Sequence, residues 1–292
     1  MLRFLAARAI PSVEAVCRSG DDVTAYTRAV PGGSITLRPA AGHVRLTVRT
    51  TETHLLSRLV ARCRRLLDLD ADPGAVREIL GATSLAPLVA ARPGLRVPGA
   101  YDGFELAVRA VVGQQISVAG ARTLLGRIAA RAGVPAVADR PADHPTDEGG
   151  NPGAAVTGHV PLLFPTADRL AAADLDGLGL TTRRVATIRA LAEAVASGAI
   201  DLDGAGDPAD TTAGLLEIPG IGPWTAGYIA LRALRDPDAW PEGDLVLRRT
   251  MERLGIAADE AERWRPWRAY AALHLWSHAS DNPDTTPRGR NR

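Results

Sequence analysis

The sequence contains no lysine, so all 34 of its lysine-or-arginine positions are arginine. A Schiff base requires a primary amine, and no side chain of this protein can supply one. Cysteine is almost as scarce, with only Cys17 and Cys63. Two thiols are too few for a disulfide framework or for an iron–sulfur cluster, which takes about four thiolate ligands. We expect Cys63, on an amphipathic helical stretch, to be a small core residue.

The sequence also lacks a strong net charge and a long apolar run. A formal net charge of +1 differs from the basic balance of many DNA-binding proteins, although backbone amides and a few arginines can also bind DNA. Apolar residues make up 46% of the chain, but no run approaches the roughly 20 residues of a membrane-spanning helix. The first residues lack the apolar region of a secretory signal. We therefore expect a cytoplasmic protein of two or three domains, without a membrane partner.

Residues 1–98 have the pattern of a mixed α/β domain. A helix is predicted over residues 2–16, and apolar side chains recur at helical spacing over residues 55–67. Between these stretches, apolar and polar residues alternate as in strands with one buried face, over residues 23–30, 35–37 and 44–48. The first domain is therefore predicted to be a small antiparallel α/β unit.

From residue 99 onward the pattern is helical, which predicts a helical core over residues 99–292. A polar loop, Gly113-Gln114-Gln115, interrupts two apolar helices. Residues 136–160 are rich in Pro, Gly, Asp and Ala without periodicity, so we expect a mobile surface loop there. The remaining expectations are a helix capped by Thr166, a helix over residues 184–196, one from Leu245 that stops at Gly255, a last helix opened by Pro266, and a frayed tail after Asp281.

Residues 216–226 predict the end of one helix, a tight turn and the start of a second helix. Thr211 and Thr212 are the expected start of the first helix, and Pro219-Gly220 breaks it.

The turn itself creates a site for an anion. Gly220 and Gly222 supply the permissive backbone that a tight turn needs. Pro223 suits the first turn of the second helix, where its missing N–H would have no partner. The result is a helix N-terminus preceded by glycines, whose unpaired N–H groups attract a phosphate without any side-chain charge.

This stretch resembles the helix-hairpin-helix of a DNA glycosylase superfamily. Four further stretches narrow the resemblance to the 3-methyladenine DNA glycosylase II (AlkA) type: FLAARA at 4–9, ARPGLR at 91–96, VRAVVGQQ at 108–115 and RPWRAYA at 265–271. Their order around the hairpin makes the match specific, and it covers nearly the whole chain apart from the loop at 136–160 and the two ends.

The resemblance implies an α+β fold that is mostly helical. A small antiparallel α/β domain is followed by two helical domains with a cleft between them and the helix-hairpin-helix at 211–235. Members of the family begin with an extra strand before the helix that carries Phe4. We therefore expect either a sheet without that edge strand or a true start that lies upstream, and the sequence leaves both alternatives open.

In this family a catalytic aspartate stands just before residues like Leu245–Arg249, which assigns that role to Asp244 by resemblance. Without the hairpin, the favoured interpretation of Asp244 is a helix N-cap. The two roles are compatible, because a helix N-terminus favours the ionised carboxylate that would stabilise positive charge on the deoxyribose as the base departs.

The resemblance also implies an aromatic base pocket made of Trp224, Tyr228, Trp276 and Phe4. Trp224 and Tyr228 are four residues apart and share a helical face. The alternative is an ordinary core stripe, which for Phe4 and Trp276 is nearly as well supported. The family has a tyrosine directly after the catalytic aspartate, where this chain has Leu245, so one edge of the pocket is expected to be less aromatic.

Trp224 stands where bifunctional relatives carry the lysine that forms the Schiff base, so the resemblance implies a monofunctional enzyme that leaves an abasic site. Gln115 matches the residue that fills the gap left by the flipped base, with a plain loop residue as the competing interpretation. The family's phosphate-binding set is matched by the backbone N–H groups of Gly220, Gly222, Thr225 and Ala226. Its monovalent cation site is matched by the backbone carbonyls of Leu216, Ile218 and Gly220.

The expected function is the excision of alkylated bases, such as 3-methyladenine and 7-methylguanine, from double-stranded DNA by a monomer. No cofactor is expected to be required, and the Na⁺ or K⁺ at the hairpin would be structural. No His/Cys/Asp cluster suggests a catalytic metal. The strongest alternative is a helix-hairpin-helix module that binds DNA without catalysis, and a bifunctional lyase is the second.

Overall fold

The computed structural model describes residues 1–136, 160–204 and 206–282. In the first part of the chain the elements are α1 (Leu2–Arg8), β1 (Glu14–Ser19), β2 (Asp22–Val30), β3 (Gly33–Ala40), β4 (His43–Thr50) and α2 (Leu56–Leu66). Then follow α3 (Pro73–Leu80), α4 (Ala86–Ala91), α5 (Gly103–Gly113), α6 (Val118–Ala132), β5 (Val134–Pro135), β6 (Leu162–Leu163), α7 (Ala167–Ala172), α8 (Thr182–Ala196), α9 (Pro208–Leu216), α10 (Pro223–Ile229), α11 (Leu245–Arg253) and α12 (Arg268–Asp281). The predicted fold class, mostly helical with a small antiparallel sheet near the N-terminus, is confirmed.

The predicted helix over residues 2–16 is wrong beyond Arg8, where α1 ends. Pro11 has no N–H to continue a helix, and Ser12 adopts a positive φ of 69°. The chain then enters β1 at Glu14 and pairs antiparallel with β2. The sheet formed by these described residues therefore has four strands, in the order β1-β2-β3-β4, where the sequence predicted three.

Helix α2 packs on the sheet and forms a small core of its own. Cys63 is 3% exposed in this core, as predicted, and burial raises the pKa of its thiol to about 12. The apolar side chains that meet there come from the sheet, from α1 and from α2: Leu5, Tyr26, Val30, Ile35, Leu37, Leu59, Leu66 and Leu67. Because this core includes α1, it holds in place the helix that carries Phe4.

A cluster of four charged side chains, three of them buried and one partly buried, joins the sheet to α5. We call Glu14 on β1, Arg28 on β2 and Glu105 and Arg109 on α5 the ion cluster. Arg28 Nη1 donates to Glu105 Oε1 at 3.0 Å, and Arg109 Nη2 donates to Glu14 Oε2 and Glu105 Oε1, each at 2.6 Å. Burial alone would raise the pKa of Glu105, but the two guanidinium groups outweigh it and lower the pKa to about 2. The cluster thus attaches the sheet to the helical body by ion pairs.

Helix α5 is the centre of the helical body. Its residues from Gly103 to Val112 are nearly all buried, and it packs against α6, α8 and α10. A π-helical turn, Ala230–Leu234, continues α10. Helices α11 and α12 pack on each other. This arrangement brings the ends of α5, α10, α11 and α12 into the positions that form the site described below.

Several predicted helix boundaries are corrected. Helix α9 begins at Pro208, not at Thr211 or Thr212, because Asp207 Oδ1 accepts a hydrogen bond from Ala209 N at 2.8 Å and caps it. Helix α12 begins at Arg268 rather than at Pro266.

Other predicted boundaries hold more closely. Thr166 occupies the N-cap position of α7 but makes no side-chain capping bond there. Helix α8 starts two residues earlier than predicted, at Thr182. The predicted loop at 136–160 and the tail after Asp281 lie almost entirely outside the described residues. In the described ranges, no helix is both long enough and apolar enough to span a membrane.

Candidate active site

Helices α9 and α10 form the predicted hairpin, and its turn requires glycine. Gly220 has a φ of 95°, and a Cβ there would lie 2.1 Å from Thr187 Oγ1. Thr187 Oγ1 donates to Pro219 O at 2.8 Å, which ties the turn to α8. Gly222 is the exposed N-cap of α10, and Pro223 follows at the first helical position. A larger residue at Gly220 would therefore displace the turn from α8.

The backbone donors at this helix start are partly used by the protein itself. Ala226 N donates to Gly222 O at 3.0 Å, so the predicted free N–H of Ala226 is already paired. Ala226 makes this bond because it is the first residue with a carbonyl one helical turn behind it. Trp224 and Thr225, which precede it in α10, have no such carbonyl, so their N–H groups have no partner within the helix.

Asp244 lies directly beside the hairpin. Its Oδ2 accepts from Trp224 Nε1 at 2.7 Å, and its Oδ1 accepts from Trp276 Nε1 at 3.3 Å. The same Oδ1 accepts from Leu247 N at 2.8 Å, which makes Asp244 the N-cap of α11. The N-cap interpretation and the position at the site thus both hold, and three N–H groups on three helices orient one carboxylate.

Three of the four predicted pocket aromatics are in contact. The rings of Trp224 and Tyr228 stack with centroids 5.3 Å apart at an interplanar angle of 10°. Trp276 meets Tyr228 edge-on at 6.3 Å and 62°. All three side chains are partly buried. The i, i+4 spacing on α10 accounts for the stacked pair, and α12 brings Trp276 from a distant part of the sequence.

Phe4 joins this group through arginines rather than through ring contact. Arg8 Cζ lies 3.8 Å and Arg232 Cζ lies 4.8 Å from the centroid of the Phe4 ring. Arg232 also donates through Nη1 to Tyr228 Oη at 2.7 Å. Burial alone would raise the pKa of Tyr228, but Arg232 and Arg8 outweigh it, so the pKa lies below its usual value.

Sequence reasoning missed both arginines. Arg8 follows Phe4 by four residues and Arg232 follows Tyr228 by four, so helical spacing alone could have placed each beside its aromatic partner. The signal is weak because every one of the 34 basic positions is arginine.

The two glutamines in the loop between α5 and α6 differ in their hydrogen bonds and in their exposure. Gln114 Nε2 donates to Gly220 O and to Thr225 Oγ1, each at 3.0 Å, and Arg184 Nη2 donates to Gln114 O at 2.6 Å. Gln115 is exposed and adopts a positive φ of 58°. Gln114, which sequence reasoning did not single out, therefore fastens the loop to the hairpin, and Gln115 projects from it.

Of the three carbonyls predicted to hold a cation, that of Leu216 belongs to the last residue of α9, and those of Ile218 and Gly220 lie in the turn. Ile218 O accepts from Ile221 N and Gly220 O accepts from Gln114 Nε2, each at 3.0 Å. A carbonyl oxygen has two lone pairs, so both retain acceptor capacity, and oxygen ligands suit a hard cation. Within the described ranges, no group of three or more His, Cys, Asp or Glu side chains could hold a metal.

The hairpin, the three contacting aromatic rings and the adjacent carboxylate together define a class: the fold is that of the helix-hairpin-helix DNA glycosylases. A solved 3-methyladenine DNA glycosylase from Archaeoglobus fulgidus matches it with a TM-score of 0.70 over 96% of this chain and 94% of that one, at 20% identity. Residues 1–102 match the model of the AlkA N-terminal domain. DNA-3-methyladenine glycosylase 2 of Escherichia coli K12 is 36% identical over 97% of this chain and 94% of its own length. The chain belongs to this AlkA family.

A further relative is a longer protein than this chain. The probable bifunctional transcriptional activator/DNA repair enzyme AlkA of Mycobacterium tuberculosis H37Rv is 41% identical over 94% of this chain, but the match covers 53% of that protein. The chain thus spans about half the length of this relative.

Proposed function

We propose that this protein is a monofunctional DNA glycosylase that removes alkylated bases, such as 3-methyladenine and 7-methylguanine, from duplex DNA in base excision repair. The observation that carries the proposal is the position of Asp244, within hydrogen-bonding distance of the indoles of Trp224 and Trp276 and next to the hairpin. The names of the relatives from E. coli and M. tuberculosis support the same class of reaction.

In the proposed reaction the rings of Trp224, Tyr228 and Trp276 form an aromatic slot for the flipped base, and this slot suits a damaged purine that carries a positive charge. Methylation at N3 or N7 makes a purine cationic, and the electron-rich faces of Trp224 and Tyr228 attract a cation by about 1–2 kcal/mol per good contact. The target nucleotide must first leave the base stack and enter the slot. Selectivity then follows from the difference between a cationic and a neutral base.

Asp244 stabilises the charge that develops as the base departs. The electrons of the C1′–N bond leave with the cationic base, which departs neutral, and the deoxyribose becomes cationic. A carboxylate fixed in advance beside that charge lowers the barrier. A water molecule then bonds to C1′ through its oxygen and loses a proton. The ion pairs found in the described ranges do not include Asp244, and its three donors are uncharged.

The absence of lysine supports a monofunctional reaction. A lyase that forms a Schiff base needs an amine at the site, and Trp224 occupies the corresponding position in the hairpin. We infer that hydrolysis ends at an intact abasic site.

The hairpin would bind the DNA backbone next to the lesion. The N–H groups of Gly220, Gly222 and Thr225 suit a phosphate, and Gln115, exposed on its loop, suits the gap left by the flipped base. Carbonyls of Leu216, Ile218 and Gly220 would hold a structural Na⁺ or K⁺ that stabilises the turn. No cofactor takes part in the reaction, and the protein acts as a monomer.

The test is to incubate the protein with N-methylated duplex DNA and to separate the freed bases by chromatography. We expect 3-methyladenine and 7-methylguanine in the soluble fraction, intact abasic sites in the DNA, and no protein–DNA adduct after borohydride treatment. Binding to DNA without release of any base would instead identify a non-catalytic helix-hairpin-helix module. A borohydride-trapped adduct would identify a lyase.

A further inference from the structure

The side chain of Arg232 connects Tyr228, in the proposed base pocket, to the backbone at Pro98 and Gly99, where the predicted first domain meets the predicted helical core. It lies in the π-helical turn that continues α10 and is 6% exposed. Its Nη1 donates to Tyr228 Oη at 2.7 Å, its Nη2 donates to Gly99 O at 3.0 Å, and its Nε donates to Pro98 O. The ion pairs identified in the described part of the chain do not include Arg232. A buried guanidinium is thus held by carbonyls and a phenol, without a carboxylate.

The two arginines of the ion cluster are held differently. Arg28 and Arg109 each pair with Glu105 in the ion cluster. The planar guanidinium presents its donors in a fixed fork. Nε and Nη2 of Arg232 donate to the backbone carbonyls of Pro98 and Gly99, so the orientation of the guanidinium is fixed. Nη1 therefore points in a set direction, toward Tyr228.

On the basis of the proposed glycosylase function, we propose that Arg232 is a positioning residue of the base pocket, which fixes the phenol of Tyr228 relative to the backbone at Pro98–Gly99. The stacked arrangement of Tyr228 on Trp224 requires one orientation of the Tyr228 ring. A ring fixed in advance need not be ordered when the flipped base arrives, so a preformed slot binds it more effectively.

The charges that face Tyr228 give a readout that does not depend on catalysis. Arg232 lies on the same helical segment, Arg8 on α1 and Arg109 on α5, and all three act to lower the pKa of Tyr228 against the effect of burial. Removal of Arg232 should raise this pKa, whereas a purely structural role elsewhere would leave it unchanged.

The experiment is a double-mutant cycle of Arg232→Met with Tyr228→Phe, measured as single-turnover release of 3-methyladenine from methylated duplex DNA. Loss of a charged hydrogen-bond donor predicts a drop of about 10- to 100-fold for Arg232→Met. In the Tyr228→Phe background the same change should cost at most about threefold, because the two residues act as one unit. Arg96→Met is the matched control, since Arg96 also donates to carbonyl oxygens, of Asp68 and Ala71, away from the pocket. We expect it to leave the rate within about twofold.

A second measurement follows tyrosinate formation by ultraviolet absorbance, with Tyr228→Phe used to assign the Tyr228 signal. We expect one tyrosine to titrate below the ordinary value of about 10 in the wild type and to move upward in Arg232→Met. If Arg232→Met does not fold, Arg232→Lys replaces it, since lysine keeps the charge but cannot make the three bonds together. It should show the same loss of activity with a smaller rise in the pKa.

Equal losses from Arg232→Met with and without the Tyr228 hydroxyl would overturn the proposal, and so would an unchanged Tyr228 titration. These results are distinct from a failure of the proposed function. A wild-type protein that releases no base would contradict glycosylase activity, while the titration would still decide whether Arg232 holds Tyr228.

Discussion

Glu105 and Asp244 are both acidic side chains fixed by hydrogen bonds, but their electrostatic surroundings are opposite. Glu105 is 3% exposed, and Arg28 and Arg109 neutralise it. Asp244 is only partly buried, and its donors are the uncharged N–H groups of two indoles and one backbone amide. The ion pair between Glu105 on α5 and Arg28 on β2 joins the sheet to α5. Neutral donors orient Asp244, and in the proposed reaction its charge would be available for a cation that arrives with the substrate.

The largest expected effect is on the free energy of unfolding and concerns Glu105. Glu105→Gln should lower the free energy of unfolding by about 3–5 kcal/mol, because it leaves the buried guanidinium of Arg28 and the partly buried one of Arg109 with too few negative partners. Urea unfolding followed by circular dichroism measures this. Glu193→Gln, at an exposed position on α8, is the control and should change stability by less than about 0.5 kcal/mol. A comparably small change for Glu105→Gln would show that the ion cluster does not anchor the sheet.

The pH dependence of the unfolding free energy, compared between the wild type and Glu105→Gln, tests whether the pKa of Glu105 is lowered. The folded pKa of Glu105 is lowered from 4.5 to about 2, so its contribution to stability is fully present above about pH 4.5 and is lost as the pH falls toward 2. We therefore expect the difference in unfolding free energy between wild type and Glu105→Gln to shrink over this window. A difference that stays constant down to pH 2 would mean that the pKa of Glu105 is not depressed.

The next effect concerns the aromatic face beside Asp244. Trp224→Ala should slow the excision of cationic purines by about 5- to 30-fold, since it removes a cation–π contact of about 1–2 kcal/mol. Trp224→Phe keeps an aromatic face but loses the Nε1 donor, so the two variants separate stacking from orientation of Asp244. Excision rates and affinity for undamaged duplex DNA are measured side by side. Equal losses in both would identify Trp224 as structural.

The smallest expected effect is at Gln115, on the loop between α5 and α6, which in the proposed reaction would fill the gap left by the flipped base. Gln115→Ala should slow excision by about three- to tenfold, which corresponds to one hydrogen bond, without changing the unfolding free energy. Gln114→Ala provides the contrast, because its side chain bonds Gly220 and Thr225 and its loss should destabilise the hairpin. If Gln115→Ala behaves as the wild type does, Gln115 is an ordinary loop residue.

The residues of the candidate site could be named because the stretches around the hairpin resemble a known family. The resemblance placed Asp244 with Trp224 and Tyr228, whereas spacing alone predicted only that Trp224 and Tyr228 share a helical face. Contacts between distant segments could not be inferred in this way. Glu14 on β1 pairs with Arg109 on α5 only when the sheet and the helical body have folded together. No local pattern indicates which carboxylate an arginine will choose when arginine occupies every one of the 34 lysine-or-arginine positions.

Local errors also have physical causes. The helix predicted over residues 2–16 continued through Pro11 because apolar residues on both sides kept a helical spacing, although proline and a positive φ at Ser12 end it. The start of α9 was placed at threonines, but Asp207 and Pro208 supply the cap and the first turn. In the first case a proline outweighed apolar periodicity, and in the second an aspartate cap followed by proline outweighed the helix-start preference of threonine.

The most direct test of the account is the single-turnover release of 3-methyladenine by Asp244→Asn, with the unfolding free energy measured on the same preparation. Asparagine can still cap α11, so stability should change by less than about 1 kcal/mol. Loss of the charge should slow excision by about 10²- to 10³-fold, while binding to duplex DNA persists. Glu242→Gln, an exposed neighbouring carboxylate, is the control and should act as the wild type does. Excision by Asp244→Asn at the wild-type rate would contradict the role assigned to this carboxylate.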